Sequence, residues 1–281
     1  MQLSVVVPLF NESEHVDELV DRLVATGRSL GLPFEVLLVD DGSADDTCAK
    51  VERRTEPEVR LVRMPRNSGQ FMAVKRGLSE SRGALVAMLD GDLQDPPELI
   101  AEMVRVAQAE GRDPVAVYAV KSSRSESLTF QLAQGVFHGL QAALAVTPIP
   151  FGASSYCLLS GRLAHRVGAL PLRWGNVAAV VAGLGVHGTI VTYDKAARTS
   201  GSSRLGLEGH LREAAWSLAI TGAAGRLGAA VAVAGFLTGV ALWRTRRRGA
   251  TAVAWSAGLV GAVALAGGRV VRRRLGARAA G

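Results

Sequence analysis

An α/β domain built on a mostly parallel sheet, followed by a short surface helix and two apolar C-terminal segments, is the architecture the sequence predicts. Three observations predict it. Short β-branched runs alternate with helix-spaced segments as far as Val120. Acidic clusters stand at the ends of two of those runs, where parallel sheets place their ligands. From Thr221 onward Ala, Gly, Val and Leu dominate, and the charges collect into arginine clusters.

The elements follow in order. Leu3 to Val7 is a short apolar run closed by Pro8 and reads as a buried strand. From Asn11 to Leu30, Val16, Leu19, Val20 and Leu23 share one helical face, with Ser13 or Asn11 as the expected N-cap. Phe34–Val39 is the second strand, with Asp40-Asp41-Gly42-Ser43 as the turn at its carboxyl end. Asp45-Asp46-Thr47 opens the next helix, where acidic residues suit the positive end of the macrodipole. The pattern repeats with a strand over Val59–Met64, a helix over Gly69–Ser81 and a strand over Ala84–Leu89 ending at Asp90. A helix over Pro97–Ala109 and a strand over Val115–Val120 complete it. Such alternation indicates a parallel sheet covered on both faces.

Two apolar segments close the chain. Gly222–Trp243 carries one internal charge, Arg226, and Ala250–Gly268 carries none; each reaches the roughly 20 residues that cross a bilayer core. Trp243 and Trp255 suit the interfaces. A buried helical hairpin of a soluble domain is the alternative, but nothing else in the chain is large enough to cover one. Trp216 and Leu211–Ile220 form a candidate amphipathic lead-in on the membrane surface. Residues 1–205 are thus expected as the main domain, 206–221 as a juxtamembrane region, and 222–281 as a two-helix anchor with a basic loop and tail.

The formal charge of +7 owes much to arginines at 244–248 and 269–278. A basic tail beside apolar segments points to anionic lipid headgroups rather than nucleic acid. In a hairpin with the main domain in the cytosol, Arg244 and Arg246–Arg248 face outward while the tail faces inward, so the two clusters pull against each other under the positive-inside rule. Either that loop is an exception and the pair is a hairpin, the favoured reading, or the segments are re-entrant and stay on the cytosolic leaflet. Met1 leads directly into the first strand, with no basic n-region or secretory apolar core, so the first domain is expected in the cytoplasm. Cys48 and Cys157 are far apart and in no metal-ligand spacing, which favours two free thiols in a reducing compartment.

The chemistry-bearing residues gather at strand ends. Asp90-Gly91-Asp92 follows an apolar strand and precedes Leu93-Gln94-Asp95-Pro96-Pro97. Carboxylates at i and i+2 on an irregular turn can converge on one hard cation, and such a cation could neutralise a leaving diphosphate. Gly91 would let the backbone approach a ligand closely. A carboxylate of Asp40-Asp41-Gly42-Ser43 could accept from a ribose hydroxyl or a base N–H; the alternative is an Asx-turn that caps the next helix, the one role Asp41 or Ser43 need have. Asn11-Glu12 after Pro8 is either a cap or a base-binding corner.

Four segments in this order resemble family-2 glycosyltransferases: Val7–Glu12, Val39–Ser43, Arg66-Asn67-Ser68-Gly69 and Met88–Pro97. Within that family the chain looks most like the polyprenyl-phosphate branch, the dolichol-phosphate mannose synthases and bacterial undecaprenyl-phosphate glycosyltransferases. The resemblance is strong over residues 3–100, weaker to about 205, and extends to the paired C-terminal apolar segments. It implies a GT-A nucleotide-diphosphosugar transferase fold followed by two transmembrane helices. It also implies an inverting transfer of a hexose from a UDP- or GDP-sugar to a membrane polyprenyl phosphate, and a homo-oligomer.

By that resemblance Pro8, Phe10, Asn11, Glu12, Asp40 and Asp41 form the nucleoside wall, and Asp90 and Gly91 meet the sugar diphosphate. Asp92 and Gln94, with Asp90, hold Mg²⁺ or Mn²⁺. Arg198-Thr199-Ser200-Gly201-Ser202-Ser203-Arg204 resembles a family segment in which Arg198, Ser203 and Arg204 grip phosphates, and Lys121 adds a phosphate contact. The chain departs from the family at Gly152–Leu158. No carboxylate stands there to act as a base, and Cys157 replaces an arginine. Another acceptor, such as a glycolipid or secondary metabolite, is the first alternative that departure raises; a non-catalytic membrane scaffold is the second.

Overall fold

The computed structural model describes residues 2–122, 147–153 and 155–193, with Gly139, Ala143, Ala145, Ser217, Ile220 and Thr221 as isolated positions. Seven strands form one sheet: β1 (Leu3–Leu9), β2 (Phe34–Asp40), β3 (Val59–Arg63), β4 (Leu85–Met88), β5 (Ala116–Lys121), β6 (Cys157–Ser160) and β7 (Thr189–Tyr193). Their spatial order is β3-β2-β1-β4-β6-β5-β7. Every pairing is parallel except those of β6, which runs antiparallel to both β4 and β5.

The helices are α1 (Val16–Ser29), α2 (Thr47–Glu52), α3 (Gln70–Glu80), α4 (Leu99–Glu110), α5 (Gly161–Ala169) and α6 (Val177–Gly183). One apolar layer joins Val5, Val7 and Leu9 of β1 and Val36 and Leu38 of β2 to Leu19, Val20 and Leu23 of α1 and Ile100, Met103 and Val104 of α4. The alternate residues of β1 and β2 face α3. That helix sits so close to the sheet that a Cβ on Gly77 would meet Val6 Cγ1 at 2.3 Å. Strands buried on both faces explain why β2 is buried at all seven positions, the continuous apolar pattern of a parallel sheet.

The amino-terminal edge of the sheet is tied by buried polar groups. The Ser4 hydroxyl donates to Glu35 Oε1 (2.6 Å) and accepts from Gly83 N (2.8 Å), and Arg82 N also donates to Glu35 Oε1 (2.8 Å). These bonds fix the turn into β4 and leave the opposite, carboxyl-terminal edge free for ligands.

Several expectations are corrected. The chain from Asn11 to His15 is not helical, and His15, not Ser13 or Asn11, occupies the N-cap of α1 with no side-chain cap bond. The reason is that residues 11–13 are engaged elsewhere. Asn11 N donates to Ser43 Oγ (2.9 Å), Glu12 N to Thr47 Oγ1 (2.9 Å) and Ser13 N to Asp45 Oδ2 (3.1 Å). Strands β6 and β7 and helices α5 and α6 go beyond the sequence expectation, and the Gly152–Leu158 segment runs into β6. Helix α4 begins two residues after Pro97, and α3 runs from Gln70 to Glu80.

The chain divides into two compact units: Met1–Glu126 with Pro150–Val181 and Val186–Arg204, and Ser127–Ile149 with Ala182–Gly185 and Leu205–Gly281. In the second, Thr221 N donates to Ser217 O (3.1 Å). Among the described residues no helix is long and apolar enough to cross a membrane. The two apolar segments, 222–243 and 250–268, lie outside the described residues.

Candidate active site

The carboxyl ends of β1, β2 and β4 open on a cleft of about 250 Å³. The first segment of its wall is Pro8, Leu9, Phe10 and Glu12. Asp41 follows from the end of β2, Asn67 and Gly69 from the turn into α3, Gln70 from its first position, and Asp90, Gly91 and Asp92 from the loop after β4.

Local geometry explains why these side chains meet. Asn11 has a left-handed φ of 56°, a conformation asparagine tolerates better than most residues. Its Oδ1 accepts from Ala44 N (2.9 Å), so the corner after β1 is locked to the loop after β2. Burial would raise the Asp45 carboxyl, but hydrogen bonds from Thr47 and Ser13 hold it at about 2, ionised and anchoring that loop. Asp41 accepts from Ser68 N (2.7 Å) and Gly69 N (2.8 Å), one on each oxygen. Gly69, at φ 93°, then turns the chain into α3. The first residue of that helix, Gln70, donates from Nε2 to Asp90 Oδ1 at 2.6 Å.

Asp40, placed at the nucleoside wall by resemblance, lies beneath it. It is only 3% exposed, and its carboxylate accepts from Gly42 N and Ser43 N at 3.2 Å, which makes the Asx-turn of the strand end. Burial and the neighbouring Asp40 push the Cys48 thiol up to about 11, so it stays a thiol. Both cysteines are free, and Cys157 is fully buried in β6, where its side chain cannot face a ligand.

The acidic loop itself is tight. Gln94 N donates to Asp92 Oδ1 (3.1 Å), and Leu93 between them has φ 57°. Asp95 is buried; its Oδ1 accepts from the Tyr193 hydroxyl and lies 3.6 Å from Lys121 Nζ. Lys121 is therefore paired with a carboxylate and is not part of the cleft wall. A Cβ on Gly91 would come within 2.8 Å of Leu9 Cδ2 and 3.3 Å of Pro8 O, so a side chain there would push against the first wall segment, on which the loop lies. Arg198, Ser203 and Arg204 lie outside the described residues.

Asp90 carries the clearest electrostatic signature. Burial, then the charges of Asp95 and Asp92, push its carboxyl up to about 7. The donor set here is all oxygen, as Mg²⁺ and Mn²⁺ prefer, and the carboxylates repel one another without a cation, so Asp92, Gln94 and Asp90 fit such an ion. Among the described residues no three His, Cys, Asp or Glu side chains form a preformed cage. An ion held by two or three side chains would complete its shell from water and diphosphate.

That carboxyl also predicts a pH dependence. Its folded value lies above the ordinary 3.8, so the fold favours the protonated form. The contribution is complete below pH 3.8 and is lost as the pH rises through about 7. With a chelator present, the wild type should lose stability relative to Asp90→Asn by on the order of 1.4 kcal/mol per pH unit crossed. Paired thermal melts between pH 4 and 8 check this; a constant difference between the two proteins would contradict it.

Residues 70, 95 and 193 were not singled out in the sequence. Gln70 lies one position beyond the Arg66–Gly69 segment and Asp95 lies inside the acidic segment, so both stood beside a visible motif. No signal in the sequence marks Tyr193.

The fold and cleft define a three-layer α/β domain with an acidic ligand cleft at the carboxyl ends of its parallel strands. The profile described as "Glycosyl transferase family 2" matches residues 4–168, and the chain belongs to that family. It is 30% identical over 207 residues to an uncharacterized glycosyltransferase of Synechocystis sp., covering 73% of this chain and 64% of that protein. It is 40% identical over 134 residues to the undecaprenyl-phosphate 4-deoxy-4-formamido-L-arabinose transferase of Pectobacterium carotovorum, covering 47% of this chain and 40% of that one. The chain thus spans less than two thirds of the length of either relative. Among solved structures it is similar to glucosyl-3-phosphoglycerate synthase from Mycobacterium tuberculosis in complex with Mn²⁺, uridine diphosphate and phosphoglyceric acid. There the TM-score is 0.55 at 20% identity, over 78% of this chain and 76% of that one, a likeness of fold.

Proposed function

We propose that this chain is a membrane-anchored, inverting glycosyltransferase that moves a hexose from a UDP- or GDP-sugar to a polyprenyl phosphate on the cytosolic face. The observation that carries the reading is the cleft itself, where the Asp90-Gly91-Asp92 cluster faces the Pro8–Glu12 wall across a space open to solvent. The undecaprenyl phosphate in the name of the Pectobacterium relative supports the choice of lipid.

Pro8, Phe10 and Glu12, with Asn11 holding their corner, receive the nucleoside, and Asp41 fixes the loop that closes the far side. Asp90, oriented by Gln70, and Gly91, whose missing Cβ lets the loop lie against Leu9 and Pro8, meet the sugar diphosphate, with Asp90 accepting from the sugar hydroxyls. Asp92 and Gln94 would hold Mg²⁺ or Mn²⁺, which when bound neutralises the charge of the departing nucleoside diphosphate. The acceptor phosphate oxygen attacks the anomeric carbon in line, the bond from that carbon to the diphosphate oxygen breaks, and the configuration inverts. A phosphate acceptor is already ionised near neutral pH, so no strong base is required. Arg198, Ser203 and Arg204 grip phosphates, residues 1–205 form the catalytic domain, 206–221 the juxtamembrane region and 222–281 the two-helix anchor, in a chain that forms a homo-oligomer.

Labelled nucleotide sugars incubated with the full chain in polyprenyl-phosphate vesicles and Mn²⁺ test this, with the lipid extracted afterwards. Label in the lipid fraction is the expected result. Donor consumption with no labelled lipid would favour a different acceptor, the reading motivated by the absence of a carboxylate in the Gly152–Leu158 segment.

A further inference from the structure

The acidic loop is bolted to the far strands of the sheet by three side chains that do not line the cleft. Lys121 and Tyr193 are register partners in the parallel pair β5–β7, which places both on one sheet face at its carboxyl edge. They converge on one atom, Asp95 Oδ1: the Tyr193 hydroxyl donates to it and Lys121 Nζ lies 3.6 Å away. Tyr156, just before β6, packs edge-on against Tyr193 with ring centroids 6.0 Å apart, and its hydroxyl donates to Pro96 O at 2.7 Å. Asp95 and Pro96 are therefore gripped from β5, β7 and the approach to β6 at once.

Two residues upstream the same loop carries a backbone conformation that disfavours itself. Leu93, with φ 57°, is left-handed between Asp92 and Gln94. A leucine there is destabilised relative to glycine and persists only where its surroundings hold it. The corner at Leu93 is what brings Asp92 and Gln94 onto one short turn, closed by the bond from Gln94 N to Asp92 Oδ1.

We infer that Tyr193, Asp95 and Lys121 are positioning residues whose grip on the loop holds Leu93 in its left-handed corner and so presets Asp92 and Gln94 for a divalent cation. The two partners of Asp95 both act on Oδ1 and turn that oxygen toward β5 and β7. This inference rests on the reading of Asp92 and Gln94 as metal ligands.

The test is direct Mn²⁺ binding by the full chain, followed by the loss of the free-ion electron paramagnetic signal, without donor or turnover. Tyr193→Phe keeps the ring packing and removes only the hydroxyl. It should weaken Mn²⁺ binding about tenfold, the usual scale for groups that orient metal ligands. Leu93→Gly removes the strain that the grip offsets. On that background Tyr193→Phe should cost less than about threefold, the coupling expected of two residues acting on one element. Leu93 packs partly against the core, so its substitution lowers the melting temperature, but metal affinity and not stability is the readout.

A purely structural bond would behave differently. Tyr193→Phe would lower the melting temperature and leave the Mn²⁺ midpoint unchanged, and that result overturns the inference. An equal loss of affinity in both backgrounds also overturns it, since the corner would then not be what the clamp holds. Failure of the wild type to bind Mn²⁺ would overturn the metal reading itself, and the clamp with it.

Discussion

Asp92→Asn is expected to lower turnover by at least about 10³-fold, the scale of removing a charge that stabilises a developing diphosphate, while the protein still folds. Asparagine is the informative replacement because it separates two roles. The Asp92 Oδ1 atom accepts from Gln94 N, and an asparagine oxygen can still accept there. The turn therefore survives, and only the charge is lost. Asp92→Ala removes both, so it should share the turnover loss and add a small loss of stability, about 1 kcal/mol for one such bond. Initial rates with saturating donor and Mn²⁺, beside a thermal melt of each variant, check the pair. An Asp92→Asn protein with near wild-type turnover would remove Asp92 from the metal site.

The second large effect is expected at Asp41, a residue that touches the cleft but acts mainly behind it. Both of its oxygens are occupied by Ser68 N and Gly69 N, and its own N–H donates to Leu9 O at 2.9 Å. The side chain thus fastens the loop that leads to Gln70, and Gln70 in turn orients Asp90. Asp41→Ala leaves two backbone donors without their acceptor, which costs about 2–4 kcal/mol. It also lets Gln70 drift, and a displacement of about 1 Å near reacting groups can cost on the order of 10²-fold in kcat/KM. Asparagine should rescue little, because its amide group would face one of the two N–H donors. Denaturant melts and donor-dependence curves check this; an Asp41→Ala protein with an unchanged KM for the nucleotide sugar would contradict it.

Much of the core was legible because its signals are local. Leu3–Val7, Phe34–Val39 and Val59–Met64 are apolar runs bounded by turn residues, and the strands fall within two residues of them. The pair Asp90 and Asp92 was visible for the same reason, lying at the end of such a run. What failed to show was set by distant contacts. Ser13 and Asn11 resembled helix caps, but the loop at 43–47 competes for them from more than thirty residues away. Strand β6 is four residues long and gains its place only by pairing between β4 and β5. Asp40 and Asp41 are adjacent and chemically equal, and only the alternation of the strand end decides that Asp41 reaches the cleft while Asp40 turns under it. Tyr193 meets Asp95 across 98 positions, a pairing no local pattern announces.

The central claim is that a nucleotide sugar and a divalent cation bind together at the Asp90–Gln94 loop. A thermal-shift comparison of UDP- and GDP-sugars, with and without Mn²⁺, on the wild type and Asp92→Asn tests it most directly, because a ligand of the native state raises its apparent stability. The predicted result is a shift with one nucleotide class that requires Mn²⁺ and vanishes in Asp92→Asn. A shift of the same size without metal, or one that survives in Asp92→Asn, would contradict it.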